Sequence, residues 1–508
     1  MRLGAAVSVV GTTFRNRPTD LLPFYALGMA VAAIVQVTIM LGVVFVGLYL
    51  VTTSRLATVR EELGELEQPP DPEVAPEAFA EWLEEAGTVL ESALTPTVGL
   101  LVVLTGLATV VVAAVAWSAI SAGQLSTCLG RLRRERGLTA GIGGARRYWP
   151  SFLGLYLLEF TLWIALSIVA AMLGGFGAIA LEIGSIGALI GGVVLLVSIL
   201  GWVVAAILLR VTFAFAPVAV VVDDVGAVRG AKNAAGYVRY RPTEAGFYAV
   251  IAVLAFVGFG LFSSALGAIG VVAGTGIVLS LGILPALDLL KTTLYGGGRG
   301  RIDPPDPVGR SVVGQLRDGL GRSVRELVAF VRATPGAHVL AAGTLVGGFV
   351  LGWLGGGPVE TVVETSISAR LEDHVAPVAA LEFFGNNWSV ALTMAFSGVA
   401  LAIPSLTLLA VNGVVIGFLG RTEAEPLELL AFVIPHGVFE LPAIAIAGAV
   451  GISLGTSWWR TWRGSQSRES LADDLERALW VLVGVGLLLL VAAIIEGFVS
   501  PYYWRAFL

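Results

Sequence analysis

The 508-residue chain is 56% hydrophobic and only 13% charged, with 64 glycines, a net charge of −6 and a mean hydropathy of +0.87. No soluble core needs that much apolar sequence. The composition therefore excludes a soluble globular protein and predicts an all-α, polytopic helical membrane protein in a lipid bilayer. The single cysteine, Cys128, excludes an intramolecular disulfide.

Six apolar runs in the first 295 residues have lengths suited to transmembrane helices. The first run lacks a small-residue cleavage pattern and is too long for the core of a signal peptide, so we expect it to be retained. The predicted spans are residues 21–51, 96–125, 152–173, 186–208, 245–266 and 269–290. We predict a six-span module over residues 1–295, with an acidic extracellular loop at residues 54–95.

Residues 296–307 read GGGRGRIDPPDP, whose glycines and prolines cannot sustain a helix, so the boundary between two modules is predicted there. In the following segment, 312–331, apolar residues recur at helical spacing with arginines off that stripe. This amphipathic helix either lies at the cytoplasmic membrane interface or packs on the spans, and the two roles are compatible. The predicted linker with its helix covers residues 296–336.

Five further spans are predicted in a second module, residues 337–508, with Pro404 as the turn between two short helices. They are residues 338–354, 386–403, 405–419, 429–455 and 479–499. The total is about eleven transmembrane helices in a 6 + 5 arrangement. Two outer segments also carry helical apolar stripes: Phe79, Trp82, Leu83, Ala86 and Leu90, and Val359, Val363, Ile367 and Leu371.

Arginine-rich loops set the predicted orientation, because basic residues in short loops stay on the cytoplasmic side. Six arginines fall within residues 131–147. Counting crossings from that loop places the N-terminus in the cytoplasm and the C-terminus outside the cell membrane. Because these arginines are explained by their role in setting the membrane orientation, they do not indicate a nucleic-acid partner, and none is expected. The acidic, lysine-poor composition suggests a salt-adapted or GC-rich source.

Polar side chains inside the second module's spans converge on the predicted outer side. A charge at bilayer depth costs about 2.5 kcal/mol or more, so His436 and Glu440, one helical turn apart, indicate a buried polar site. Asn386 and Asn387 are expected to open a helix at the outer face. The candidate site comprises Asn386, Asn387, Asn412, His436, Glu440 and Glu496.

Two interpretations of this set remain open. Either the side chains hydrogen-bond one another and lock helix packing, or they handle a proton, a cation or a small solute. A metal centre is less favoured, because His436, Glu440 and Glu496 are the only obvious ligands and H-E-x-x-H is absent; no metal and no cofactor are predicted.

Catalytic patterns are poorly represented in the sequence. It contains no G-x-S-x-G, no Walker A loop and no serine near a histidine in a plausible intramembrane dyad, so no catalytic residue and no enzyme is predicted. Glu159, a deep acid of the first module, is expected to pair with a neighbouring helix. Gly413 and Gly417 have the spacing that favours close helix crossings.

Several short pieces of the second module resemble the stage II sporulation protein M family over about residues 337–501. They are FGNN at 384–387, VNG at 411–413, PHG at 435–437 with Glu440, GAVG at 448–451, and Ala493, Glu496 and Pro501. The resemblance implies a five-span membrane protein. In spore formers the founding member is similar in role to a membrane anchor for peptidoglycan-remodelling partners, whereas relatives occur where neither spore nor such a wall is made.

The first module resembles uncharacterised six-span domains of halophilic archaea, through residues 215–224 and 230–242. That resemblance implies no activity. Two function classes remain for the whole chain: a scaffold or complex subunit, with other membrane or envelope proteins as candidate partners, and a transporter or channel for a small ion or solute. We favour the first and leave the oligomeric state open.

Overall fold

A computed structural model describes residues 2–66, 76–91, 93–360, 365–371 and 374–503. These residues are helical, with one isolated β-bridge between Thr365 and Glu423 and no β-strand among them. Parts of the predicted outer loop 54–95, namely residues 67–75 and 92, lie outside the described residues, as do Val363 and residues 504–508.

The chain forms long helices up to the predicted linker. They are α1 (Leu3–Asn16), α2 (Leu22–Thr52), α3 (Arg55–Glu65), α4 (Pro76–Glu91), α5 (Pro96–Arg131), α6 (Gly137–Leu181), α7 (Gly184–Asp223), α8 (Ala227–Tyr240), α9 (Pro242–Ala268), α10 (Thr275–Val278) and α11 (Leu284–Gly297). A 3₁₀ turn, Pro18–Asp20, precedes α2, and a π-helical turn, Leu279–Ile283, joins α10 to α11.

Residues 298–311 are not helical, as their glycines and prolines predict, and helices resume after them. They are α12 (Val312–Ala333), α13 (Pro335–Gly356), α14 (Ile367–Arg370), α15 (Ala376–Ser397), α16 (Ile403–Thr422), α17 (Pro426–Trp462), α18 (Arg468–Phe498) and α19 (Ser500–Tyr503), with a 3₁₀ turn at Gly357–Val359.

The predicted all-α, polytopic membrane fold is confirmed. Within the described ranges, ten helical stretches are long and apolar enough to cross a membrane. The eleventh predicted span corresponds to α15, which is 22 residues long but is not among the ten. Its sequence includes Glu382, Asn386 and Asn387, which lower its hydropathy.

Two predicted details around α15 and α16 differ from the structure. The helix α15 begins at Ala376, so Asn386 and Asn387 lie in its middle and do not open it. Pro404 is not the turn but lies in the first turn of α16, where a proline's missing N–H has no intrahelical role. The chain turns just before it, at Leu401 and Ala402, which both have positive φ angles.

The chain divides into two compact units, residues 31–116 and residues 1–30 with 117–508. In the smaller unit, α4 confirms that the stripe from Phe79 to Leu90 is helical, although only Ala86 of the stripe is buried, while Leu83 and Leu90 are exposed. Its predicted location outside the membrane stays a prediction. The predicted division into residues 1–295, 296–336 and 337–508 follows a different criterion and stays a prediction.

In the larger unit, the core that positions the polar site is built from α13 and α15–α18. Its centre consists of small and apolar side chains such as Ala443, Ala447 and Leu409, none of which is exposed. The predicted close crossing at Gly413 and Gly417 is confirmed: a Cβ at either residue would collide with backbone of α13. Reciprocally, Gly348 and Gly352 of α13 lie against the backbone of α16.

Contacts within this unit also join its N-terminal helices to residues 337–508. Glu476 of α18 accepts hydrogen bonds from Arg17, at 3.0 Å, and from the Thr19 hydroxyl, at 3.1 Å. Glu382 of α15 accepts from the backbone N–H groups of Val272 and Ala273, at 2.7 and 2.8 Å. Charged and polar contacts therefore join residues before the predicted linker to α15 and α18, which follow it.

The helix α12 confirms the amphipathic segment predicted after the linker. Towards its C-terminal end it packs on α18, where Phe330 is buried and Leu327 contacts the core. Towards its N-terminal end Val312, Val313 and Leu316 are exposed. The same helix therefore combines packing on the spans with an open apolar face, which is suited to a membrane interface.

The one cysteine, Cys128, lies on α5 with no exposed surface. Its sulfur is 3.2 Å from the Tyr25 hydroxyl.

Candidate functional site

His436 lies in the N-terminal half of α17, with Pro435 and Pro442 inside the same helix. Its side chain is only 7% exposed, and its ring packs against Phe432 one turn earlier. The Nδ1 atom lies 3.1 Å from the hydroxyl oxygen of Ser500, at the start of α19. This contact fixes the ring and leaves Nε2 directed to the neighbouring acids.

Glu440 and Glu496 complete a cluster with His436. One ligand atom from each of the three residues can be chosen so that all lie within 4.8 Å of one another. The Nε2 atom of His436 is 3.9 Å from Oε1 of Glu496, which is beyond hydrogen-bonding distance. The other oxygen of Glu496 is buried without a hydrogen-bond partner among the described residues.

The predicted asparagines divide into two groups. The Asn387 amide, on α15, interacts with the Glu440 carboxylate, so α15, α17 and α18 all contribute to the cluster. Asn386 donates to Asn387 at an exposed position, 3.1 Å away. The Asn412 side chain donates to its own helix, at the Leu408 carbonyl 2.7 Å away. The structure thus brings together four of the six predicted residues.

The two acids of this cluster differ from other acids in the helices. Glu159 pairs with Arg210 of the neighbouring helix at 3.0 Å, as its depth led us to expect. Glu244 pairs with Arg241 at 2.9 Å. In the part of the chain that the structure describes, neither Glu440 nor Glu496 has a lysine or arginine within 4 Å. Two carboxyl groups and one imidazole therefore share an apolar setting without a compensating side-chain cation.

The fold brings a serine and a histidine into contact although they are far apart in the sequence. The sequence shows no serine near a histidine, but the fold places Ser500 against His436, because α19 turns back over the end of α17. The resulting Ser–His–Glu order resembles a hydrolase triad. However, Ser500 has no exposed surface and the His–Glu distance is 3.9 Å. A substrate carbonyl therefore has no approach to the hydroxyl in this conformation.

Comparison with known proteins bears on the part of the chain that holds this cluster. Residues 337–501 match the family model described as Stage II sporulation protein M. These residues form a stage II sporulation protein M module. The matched residues are the same range in which the sequence resembles this family, and they include every residue of the cluster. No curated protein and no solved structure matches the chain.

A cap covers the end of the stage II sporulation protein M module at which α17 begins; we define it as residues 365–371, His374 and α19. It is anchored on Glu423, which directly follows α16 and whose fully buried side chain pairs with Arg370 at 2.9 Å. The backbone N–H of Ile367 donates to the same carboxylate at 2.7 Å. Ile367 and Leu371 pack on Phe432, next to the ring of His436.

The cap also reaches the last span of the module. The His374 ring contacts the Gly497 carbonyl through Nε2, at 2.7 Å, directly beside Glu496. The Tyr503 hydroxyl donates to the Ala431 carbonyl on α17. The described cap residues therefore bind α17 and α18, the two helices that carry His436, Glu440 and Glu496.

Sequence reasoning missed two partners. Ser500 follows His436 by 64 positions and lies beyond a whole span, so no local signal connects them. Lys291 of the first module is 2.7 Å from Asp288. Here the three-residue spacing of opposite charges on one helix could have revealed the pair.

Proposed function

We propose that the protein is a non-enzymatic integral membrane scaffold or complex subunit, in which the polar cluster helps to hold the stage II sporulation protein M module together. The observation that carries this proposal is the cap, because it closes the end of the module next to His436. The contacts of Glu423, His374 and Tyr503 tie together α14, α17, α18 and α19. A fixed, closed bundle suits a protein that presents surfaces to partners.

Helix packing supports the same proposal. The helices α13 and α16 meet backbone to backbone at Gly348, Gly352, Gly413 and Gly417. Such contacts are lost when helices slide or tilt apart, because they depend on the register of both glycine pairs. The burial of Ser500 supports the non-enzymatic part of the proposal, since the hydroxyl is out of reach of a substrate.

A second candidate function is transport of a small ion or solute. It is favoured by one observation: among the described residues, no lysine or arginine pairs with the acids of the cluster, and ionisable residues inside a membrane often mark ion or proton pathways. Transport would require the cap to open, and Glu423 with Arg370 would then have to separate.

The two candidates predict different behaviour of His436→Ala and Glu440→Gln. We expect both variants to lower the thermal midpoint in detergent by about 4 °C or more, since each leaves buried polar groups without partners. Asn412→Ala is the matched control, because its amide bonds only to its own helix. We expect proton and cation flux in proteoliposomes to equal that of empty vesicles for all proteins.

The opposite pattern would establish transport. Wild-type flux above that of empty vesicles, abolished in Glu440→Gln while the thermal midpoint is unchanged, contradicts the scaffold proposal. Variants that are as stable as the wild type and show no flux would contradict the packing role of the cluster.

A further inference from the structure

The cluster of His436, Glu440 and Glu496 has the donor atoms of a cation site, and no lysine or arginine of the described residues balances them. Burying an uncompensated carboxylate is costly, so the carboxyl groups must either hold protons or bind a cation. The orphaned oxygen of Glu496 is the most direct sign of a missing partner.

We propose that this cluster binds one divalent transition-metal ion, through Nε2 of His436 and a carboxylate oxygen from each of Glu440 and Glu496. The orientation of the histidine supports this assignment. A metal-bound imidazole usually donates its second ring N–H to a neighbouring oxygen, which fixes the ring. Here Nδ1 lies 3.1 Å from the Ser500 hydroxyl, so Nε2 is the nitrogen left for the metal.

The geometry requires only a small contraction. Bonds of about 2.0–2.1 Å to a tetrahedral zinc place neighbouring ligand atoms about 3.3 Å apart. The present distances are 3.9 Å between His436 and Glu496 and at most 4.8 Å within the whole set. Rotation of the two flexible glutamate side chains is enough to close this gap. The Asn387 amide interacts with the Glu440 carboxylate and so helps to hold that ligand, and a water molecule can take the fourth position.

The donor set selects the class of ion. One imidazole nitrogen with two carboxylates suits Zn²⁺, Mn²⁺, Fe²⁺ or Co²⁺, whereas Mg²⁺ and Ca²⁺ prefer an all-oxygen set. A bound ion would connect α17 and α18 directly, α15 through the contact of Asn387 with Glu440, and the cap through Ser500. This inference goes beyond the proposed function, because a structural ion in a scaffold and a transported ion would use the same ligands.

The test uses the full-length protein, purified without a histidine tag, stripped with chelator and titrated with Co²⁺. We expect one equivalent of Co²⁺ to bind and to give the visible absorption of nitrogen- and oxygen-coordinated cobalt. Glu496→Gln and His436→Gln should weaken binding at least tenfold, and Ser500→Ala should weaken it about tenfold through the ring orientation. Zn²⁺ should displace the cobalt, and Mg²⁺ should not.

Two controls keep the outcome decisive. His338→Gln removes an imidazole that lies outside both the cluster and the cap, so it should retain the nitrogen-coordinated spectrum. Glu159→Gln, at a paired acid outside the cluster, should bind as the wild type does. Failure of the folded wild type to bind, or binding that persists in Glu496→Gln, overturns the proposal. If the cluster variants fail to fold, loss of the spectrum in His338→Gln overturns it as well.

Discussion

At the scale of single residues, Lys291 and Asp288 form an ion pair inside the first module. The Lys291 ammonium is 2.7 Å from one oxygen of Asp288, and both side chains are largely buried. The Tyr25 hydroxyl donates to the other oxygen at 2.9 Å. A buried pair of this kind contributes little compared with an apolar replacement, but removal of one partner leaves a buried charge.

We expect Lys291→Met to lower the free energy of unfolding by about 3 kcal/mol, because Asp288 then loses its counter-charge. The double variant Lys291→Met/Asp288→Asn should recover more than half of that loss. Unfolding in detergent with increasing denaturant, followed by circular dichroism, measures both values. Equal stability of the single and double variants would show that the charge of Asp288 is compensated elsewhere.

At the scale of helices, α13 and α16 approach each other through glycines on both sides. A Cβ at Gly348 would collide with the Ala410 carbonyl oxygen, whereas one at the adjacent Gly347 would meet nothing within 4 Å. Gly348 therefore allows the close contact with α16, whereas Gly347 faces open space.

We expect Gly348→Ala to destabilise the protein by about 2 kcal/mol or more, since the helices must move apart to accept the methyl group. Gly347→Ala is the matched control and should change stability by no more than about 0.5 kcal/mol. Thermal unfolding of both variants in the same detergent distinguishes them. Similar losses in the two variants would mean that glycine flexibility, and not close contact, matters here.

The helices also show how far sequence reasoning reaches. Hydropathy identified the spans because every helix that crosses the lipid needs about 20 mainly apolar residues. Gly413 and Gly417 predicted a close helix crossing because small residues four positions apart favour such contacts. The start of α15 was predicted too late because polar Asn386 and Asn387 resemble a helix end, although Pro377 marked the true first turn. The pairing of Ser500 with His436 is tertiary, so no local pattern encodes it.

At the scale of the whole larger unit, polar contacts join the N-terminal helices to the stage II sporulation protein M module. The carboxylate of Glu476 is the centre of one such set, with Arg17 at 3.0 Å and Arg136 and Arg322 at 3.6 and 3.7 Å. The linker that connects the two parts along the chain is exposed at Gly309. Association therefore does not depend on the covalent linker alone.

We expect the two parts to remain together after cleavage at a protease site inserted behind Gly309, and to co-elute from a sizing column in detergent. Glu476→Gln should increase dissociation of the cut protein, because it removes the charge that three arginines face. The uncut Glu476→Gln protein is the control for folding. Complete separation of the cut wild-type parts at low salt would show that the contacts are too weak to hold them.

The buried position of Cys128 has a practical consequence for chemical labelling. The only native thiol is enclosed by α5 and by Tyr25, so the folded chain offers no reactive sulfur of its own among the described residues. A cysteine introduced at any exposed loop then becomes the sole target for a membrane-impermeant reagent. The sidedness of each loop can thus be read one position at a time, on a background that needs no prior removal of cysteines.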